Sequence, residues 1–313
     1  MKKTILIALI VSLFLASCEF QEPVGPIVVN YRVGYDGADI RFSIFPELEV
    51  YENEKFNVQL ETWNRGAYDI DNAFMVLNFD RSAFIGDTSG IFRITEEING
   101  RSVSYPEGEF ATSPIINLTA KKIFLTDYQK FDFIAKICYG YSTQATIEAC
   151  IGKKTGYRSC DFEDLNKGLN MSNGQGSPLA ITQVDEQIVE LGDKIKPRFT
   201  FVIENKGSGQ VVRDPEKNIE PLCIGYGLGE RVLDRFDLKL QLSTNYFYDS
   251  RSDVNSFTCR PTVPELENGK AEITCTLNDE LEAGPAYITP LITELIYGYT
   301  DQARQELTVR RAD

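Results

Sequence analysis

Histidine is absent from all 313 residues. That excludes Ser-His-Asp and Cys-His catalysis and the usual zinc hydrolases, since each needs an imidazole as base or ligand. No Cys-x-x-Cys pair occurs, so a zinc site is not expected. Gly-x-Ser-x-Gly, the P-loop and the dinucleotide-binding glycine motif are also missing. Tryptophan occurs once, at Trp63, and no long amphipathic helical pattern is present. Positive charge is in short supply, with 32 Lys and Arg against 46 Asp and Glu and a net charge of −14. Such a surface repels nucleic acid and anionic head groups; it suits cations, a basic partner, or plain solubility. The expectations are no enzyme, no cofactor, no metal and no nucleic-acid partner. Carboxylate-pair chemistry survives the filter, but so many acids nominate no pair.

What is present begins with an export signal. Lys2 and Lys3 precede a nearly unbroken apolar run, Ile5 to Leu15. The run is too short for a permanent membrane span, which needs about 20 residues, and it fits a secretory signal peptide. Leu15-Ala16-Ser17-Cys18 follows and resembles the lipobox of prokaryotic lipoproteins. By that resemblance Cys18 carries lipid and becomes the new N-terminus. Ordinary cleavage nearby and an uncleaved anchor are the competing readings, and each also places the rest of the chain outside the cytoplasm. Loss of Lys2 and Lys3 takes the net charge to −16.

Setting Cys18 aside leaves Cys138, Cys150, Cys160, Cys223, Cys259 and Cys275. An even number in an exported chain predicts disulfides, with fifteen possible connectivities. Sequence neighbours flanking hairpins favour Cys138 with Cys150 and Cys259 with Cys275, leaving Cys160 with Cys223.

The chain repeats itself. Phe133 to Ile151 aligns without a gap to Leu291 to Val309 at a spacing of 158, matching Tyr139-Gly140-Tyr141 to Tyr297-Gly298-Tyr299 and Gln144-Ala145 to Gln302-Ala303. Earlier, Phe56 to Gly66 resembles Phe199 to Gly207, each ending in Asn, a basic residue and Gly; the offset of those endings is 141. Two landmarks in one order point to duplication. Each copy reads as strands. Phe56 to Trp63 alternates apolar and polar residues, as do Asp39 to Ile44, Arg198 to Glu204 and Ala271 to Thr276, and period two marks half-buried strands. Turn signals at Asn64-Arg65-Gly66, Asn205-Lys206-Gly207 and Glu267-Asn268-Gly269 separate them. The last two strands of each copy are expected to form a hairpin through the Tyr-Gly-Tyr segment. Asp161 to Leu169 is the one stretch expected to form a short helical turn.

This combination of exported N-terminus, alternating strands, Asn-x-Gly turn and Tyr-rich ending resembles the CARDB-type (cell-adhesion-related) and S-layer-associated Ig-like modules of prokaryotic surface proteins. The resemblance implies an Ig-like β-sandwich with an adhesive or scaffolding role, and it carries no catalytic motif.

Other candidate sites are modest. Asp69-Ile70-Asp71-Asn72 and Asn278-Asp279-Glu280 offer oxygen ligands for calcium, but neither has EF-hand spacing, and simple acidic turns are the plainer reading. Trp63, out of phase with Phe56 and Val58, could stack on a sugar or partner; packing is the commoner role of such aromatics. The four repeated tyrosines point to a fold requirement. Asn117 and Asn170 head glycosylation sequons.

The expected architecture is all-β: a signal peptide (1–17), a lipidated tether (18–26), and two tandem Ig-like sandwiches (27–155 and 177–313) joined by a Gly-, Ser- and Asn-rich linker (156–176). The expected function is that of a membrane-anchored cell-envelope lipoprotein acting as a binding, adhesion or scaffolding module. Its partners would be the membrane, through Cys18, and an envelope or surface-layer protein. The alternatives are a carbohydrate-binding or carbohydrate-processing surface lipoprotein, marked by an acidic cleft with aromatics, and an assembly factor acting by strand addition.

Overall fold

The computed structural model describes residues 30–312, apart from 48, 87–89, 125, 154–159, 161–168, 172, 226–231, 244 and 254. Among the described residues the fold is all-β with one short helix, and Tyr31–Asp313 forms one compact unit. The first half runs β1 (Ala38–Ile44), β2 (Glu49–Tyr51), β3 (Lys55–Asn64), β4 (Ala73–Asn78), β5 (Phe84–Gly86), β6 (Ile91–Ile94), β7 (Phe110–Thr112), β8 (Ile116–Ala120) and β9 (Tyr128–Ile151). The second half runs β10 (Leu169–Asn170), β11 (Leu179–Leu191), β12 (Lys194–Asn205), β13 (Val211–Val212), the helix α1 (Pro215–Ile224), β14 (Asp237–Leu242), β15 (Tyr246–Asp249), β16 (Phe257–Arg260), β17 (Lys270–Leu277), β18 (Leu281–Glu282) and β19 (Tyr287–Arg310). The alternation read from the sequence survives as burial: in β3, Phe56, Val58, Leu60 and Thr62 point inward while their neighbours face out.

The described strands form three sheets. A central sheet runs β15-β14-β19-β9-β4-β6, so strands from both halves share it. One flanking sheet, β1-β3-β8-β5 with β7 beside β3, packs on its first-half end, where Phe56 and Phe84 meet Phe133 edge-on. The other, β10-β11-β12-β17-β16, serves the second half. One continuous apolar core joins all three, with Phe133, Tyr139, Phe199, Phe201 and Tyr297 completely buried.

The centre of the molecule departs from the expected hairpins. β9 and β19 are 24 residues each and pair antiparallel along their whole length, with Tyr139 opposite Tyr299, Gly140 opposite Gly298 and Tyr141 opposite Tyr297. Gly140 and Gly298 are also repeat equivalents, so a local two-fold axis passes through that pair. A two-residue hairpin loop needs left-handed backbone, but neither glycine has positive φ. The in-out alternation of β9 also continues past Gly140 without a change of phase. Each long strand therefore starts in its own half and ends in the other.

The repeat reappears as a duplicated polar knot. Asn64 Nδ2 donates to the Tyr68 carbonyl at 2.7 Å, and the Tyr141 hydroxyl lies 3.4 Å from Asn64 Oδ1. In the second copy Asn205 Nδ2 donates to the Gly209 carbonyl at 2.8 Å, and the Tyr299 hydroxyl donates to Asn205 Oδ1 at 2.9 Å. The backbone N–H groups of Tyr68 and Gly209 donate in turn to those same hydroxyls. The four tyrosine rings close a ring of edge-to-face contacts with centroids 5.4 to 6.3 Å apart, a favoured aromatic geometry.

Helix α1 breaks the symmetry. Asp214, Pro215 in the first turn and Gly225 beyond the end bound it, which is the usual sequence signature of helix termini. Pro221 interrupts its pattern, so the sequence reading missed it. Ile219, Leu222 and Cys223 pack on Phe74, Val76 and Cys138, on the outer face of the central sheet. Lys136 Nζ donates to the Leu222 carbonyl at 2.7 Å, and burial lowers the pKa of that amine.

Candidate functional site

Cys18 and the apolar run Ile5 to Leu15 lie outside the described residues, as does the helical turn expected at Asp161 to Leu169 except for Leu169 itself, which opens the strand β10. Among the described residues no helix is long and apolar enough to cross a membrane. The six other cysteines form three disulfides: Cys138–Cys223, Cys150–Cys160 and Cys259–Cys275. The last was expected and joins directly paired residues of β16 and β17. The other two correct the expected pairing. Cys138 and Cys150 sit twelve residues apart on the single strand β9, which at about 3.3 Å per residue separates them by about 40 Å. A disulfide needs Cα atoms within about 7 Å. Cys138 meets Cys223 on α1 instead, and Cys150 closes on Cys160 just beyond the strand.

Asn117 lies exposed on β8, opposite Asn57; Asn170 lies on β10, opposite Gln183. Asn278 is tied into a turn, accepting from Thr258 Oγ1 at 2.6 Å, and Glu280 pairs with Lys194 at 3.2 Å. Among the described residues no three His, Cys, Asp or Glu side chains converge as metal ligands. Trp63 stacks on Phe110 with centroids 5.1 Å apart, lies beside the guanidinium groups of Arg41 and Arg65, and donates from Nε1 to Glu61. It packs on the outer face of the flanking sheet.

The site that the sequence did not nominate is a cleft of about 390 Å³ between β6 and β7. β6 pairs only with β4 and β7 only with β3, so among the described strands each leaves one edge open. Those two edges belong to opposite sheets, and the cleft is the open flank between them. Met75, Ile94 and Ile98 are buried at its floor beside the half-buried Phe92 and Ala111. Glu96, Glu97, Glu109, Thr95, Thr112 and Phe110 form the rim. The segment from Thr95 to Glu109 closes one end. It is fixed by the Ile70–Ile98 bridge, by Asn64 Nδ2 donating to the Ile98 carbonyl at 2.9 Å, and by Glu109 N–H donating to the Asn99 carbonyl at 2.9 Å.

The electrostatics of the rim are uneven. Glu109 accepts from the Asn99 side chain at 2.6 Å and its backbone N–H at 3.0 Å. Those bonds hold its carboxyl below the usual range. Glu97 is raised, first by the charge of Asp69, then by desolvation and by Asp71. Arg93, also at the cleft, has its guanidinium 5.7 Å from the Phe74 ring centroid. A smaller hollow of about 230 Å³ adjoins Asp69 and Asp71 and is completed by Asn72, Ser142, Pro215 and Glu216. The Asp69 to Asn72 segment read as a possible calcium loop is thus part of an acidic surface reaching from Glu96 to Glu216.

No known family profile matches the chain, and no curated protein matches it. Solved structures give weak likenesses. The secreted serine protease VesC from Vibrio cholerae is 10% identical with a TM-score of 0.18 over 82% of this chain and 49% of its own, so the chain spans about half of VesC. Spo0M, a sporulation control protein from Bacillus subtilis, is 9% identical with a TM-score of 0.15, over 54% of this chain and 80% of its own. A DUF4466-family protein from Parabacteroides merdae is 8% identical with a TM-score of 0.13, over 80% of this chain and 99% of its own. The expectation that the chain is no enzyme is withdrawn, because VesC is a protease. At that TM-score the likeness carries no argument for any particular chemistry, and no enzymatic assignment replaces the expectation.

Proposed function

We propose that this chain is an exported lipoprotein, tethered through Cys18, whose two Ig-like halves act as a binding and scaffolding module of the cell envelope. The observation that carries the binding reading is the flank cleft between β6 and β7. It is preformed, its volume of about 390 Å³ lies in the range of ligand sites, and it combines an apolar floor with a few polar groups at the rim. Three disulfides using all six remaining cysteines support export, since such bonds persist in oxidising compartments. In-cell cross-linking of the native envelope, followed by mass spectrometry, tests the reading. Reproducible links from the β6–β7 flank to a particular envelope protein, with lipid on Cys18, are expected. Lipidated protein without any protein neighbour would sink it. A glycan ligand is the second reading, favoured by Phe92 standing beside carboxylates in the cleft; binding to an immobilised glycan panel tests it.

A further inference from the structure

We infer that the flank cleft takes a short extended peptide segment in which apolar and basic residues alternate, added as a strand between the open edges of β6 and β7. This deepens the binding reading and rests on it.

Three features select that ligand. The first is the pair of open edges. Each offers backbone N–H and C=O groups with no strand beside them among the described residues, and such edges recruit extended peptides through main-chain hydrogen bonds. They lie on opposite sheets, which stack about 10 Å apart, so one strand fits between them and a helix does not. β6 has four residues and β7 three, which limits the segment to about four paired residues.

The second is the floor. Phe92 and Ile94 alternate with outward-facing Ile91 and Arg93 on β6, and Ala111 does the same on β7. A strand added here presents every second side chain to that apolar floor. The third is charge. Glu96, Glu97 and Glu109 rim the cleft, and Asp69 and Asp71 stand next to Glu97. Lys or Arg at the alternate positions of the peptide relieves the crowding of these carboxylates. An acidic peptide adds to it.

The test uses the full chain in mild detergent and fluorescent hexapeptides of alternating Val and Lys or alternating Val and Glu. Fluorescence polarisation reads affinity, and hydrogen exchange reads protection of the Ile91–Ile94 and Phe110–Thr112 amides. The Val-Lys peptide is expected to bind about tenfold or more tightly than Val-Glu, a difference of about 1.4 kcal/mol, and to protect those amides. Its backbone N-methylated version is expected to lose binding. The exposed pair Glu96→Lys and Glu97→Lys should reverse the preference. Equal binding of the two peptides, binding without amide protection, or binding that survives N-methylation each overturns the inference. Preferential binding of a glycan, or self-association through this flank, does so too. If cross-linking identifies an envelope partner whose contacts lie elsewhere, the inference falls and the binding reading stands. Absence of any partner removes the reading itself.

Discussion

Glu186 sits where a carboxylate is poorly served. It lies on β11 facing the end of β9, where one oxygen accepts the Cys150 N–H at 2.9 Å. The other oxygen is buried without a hydrogen-bond partner among the described residues. Burial pushes its pKa up to about 7, against the lowering effect of that one bond. The sign follows from linkage. Below about pH 4.5 both folded and unfolded chains carry the proton, and the group is neutral to stability. Between there and pH 7 the unfolded chain ionises first, so stability falls as pH rises. The deficit is complete above pH 7, at about 3 kcal/mol. Glu186→Gln keeps an acceptor for Cys150 and removes the charge. It should raise the melting temperature at pH 8 and leave it nearly unchanged at pH 4. A gain of equal size at both pH values would remove burial of charge as the cause.

Tyr299 is the converse, a polar group fully used. Its hydroxyl accepts from Gly209 N–H at 2.9 Å and donates to Asn205 Oδ1 at 2.9 Å, and burial pushes its pKa up to about 12. Tyr299→Phe leaves a donor and an acceptor unpaired, which costs about 1 to 3 kcal/mol. Urea unfolding should show the midpoint fall with no change in slope. An unchanged midpoint would mean that water replaces the hydroxyl.

At the scale of the element, the two central glycines carry different demands. A Cβ on Gly298 would lie 2.5 Å from Val212 Cγ1 and 2.6 Å from Ile219 Cδ1, under α1. A Cβ on Gly140 would meet nothing closer than Pro215 Cβ at 3.5 Å. Gly298→Ala is therefore expected to destabilise by about 1 to 3 kcal/mol through overpacking, and Gly140→Ala by less than half of that. Equal effects in thermal unfolding would show that backbone conformation, not the helix, requires glycine there. This pair also shows why parts of the fold were legible and parts were not. Alternation marked β1, β3, β12 and β17, because a half-buried strand must write period two into its side chains. The repeat was legible because Asn64 and Asn205 make the same contacts twice. The hairpin reading failed because Tyr-Gly-Tyr looks like punctuation, whereas glycine here leaves room for α1. The helix itself was masked by Pro221, and the cleft by distance: Met75, Phe92, Glu97 and Phe110 converge only once β6 and β7 become edges of opposite sheets. The cysteine pairing failed for the same reason, since Cys138 and Cys150, neighbours in sequence, lie far apart along one extended strand.

At the scale of the whole molecule, strand exchange ties the halves together. Thr143, on the far part of β9, donates to the Leu179 carbonyl at 2.6 Å and so completes the second half. Leu307 and Val309, at the end of β19, are buried opposite Phe131 and Val50 and so complete the first. Neither half closes its core from its own residues. Removing packing from either tail should then cost the stability of both. Leu307→Ala, fully buried in the wild type, should destabilise by about 2 to 5 kcal/mol. The distinguishing measurement is where the loss shows. Native-state hydrogen exchange should report equal loss of protection in β3 of the first half and β12 of the second, because the shared sheet opens as one cooperative unit. Unfolding should remain a single transition. If β12 keeps its protection while β3 loses it, the halves are separate folding units that merely share an edge, and the exchange of strands is packing without cooperativity.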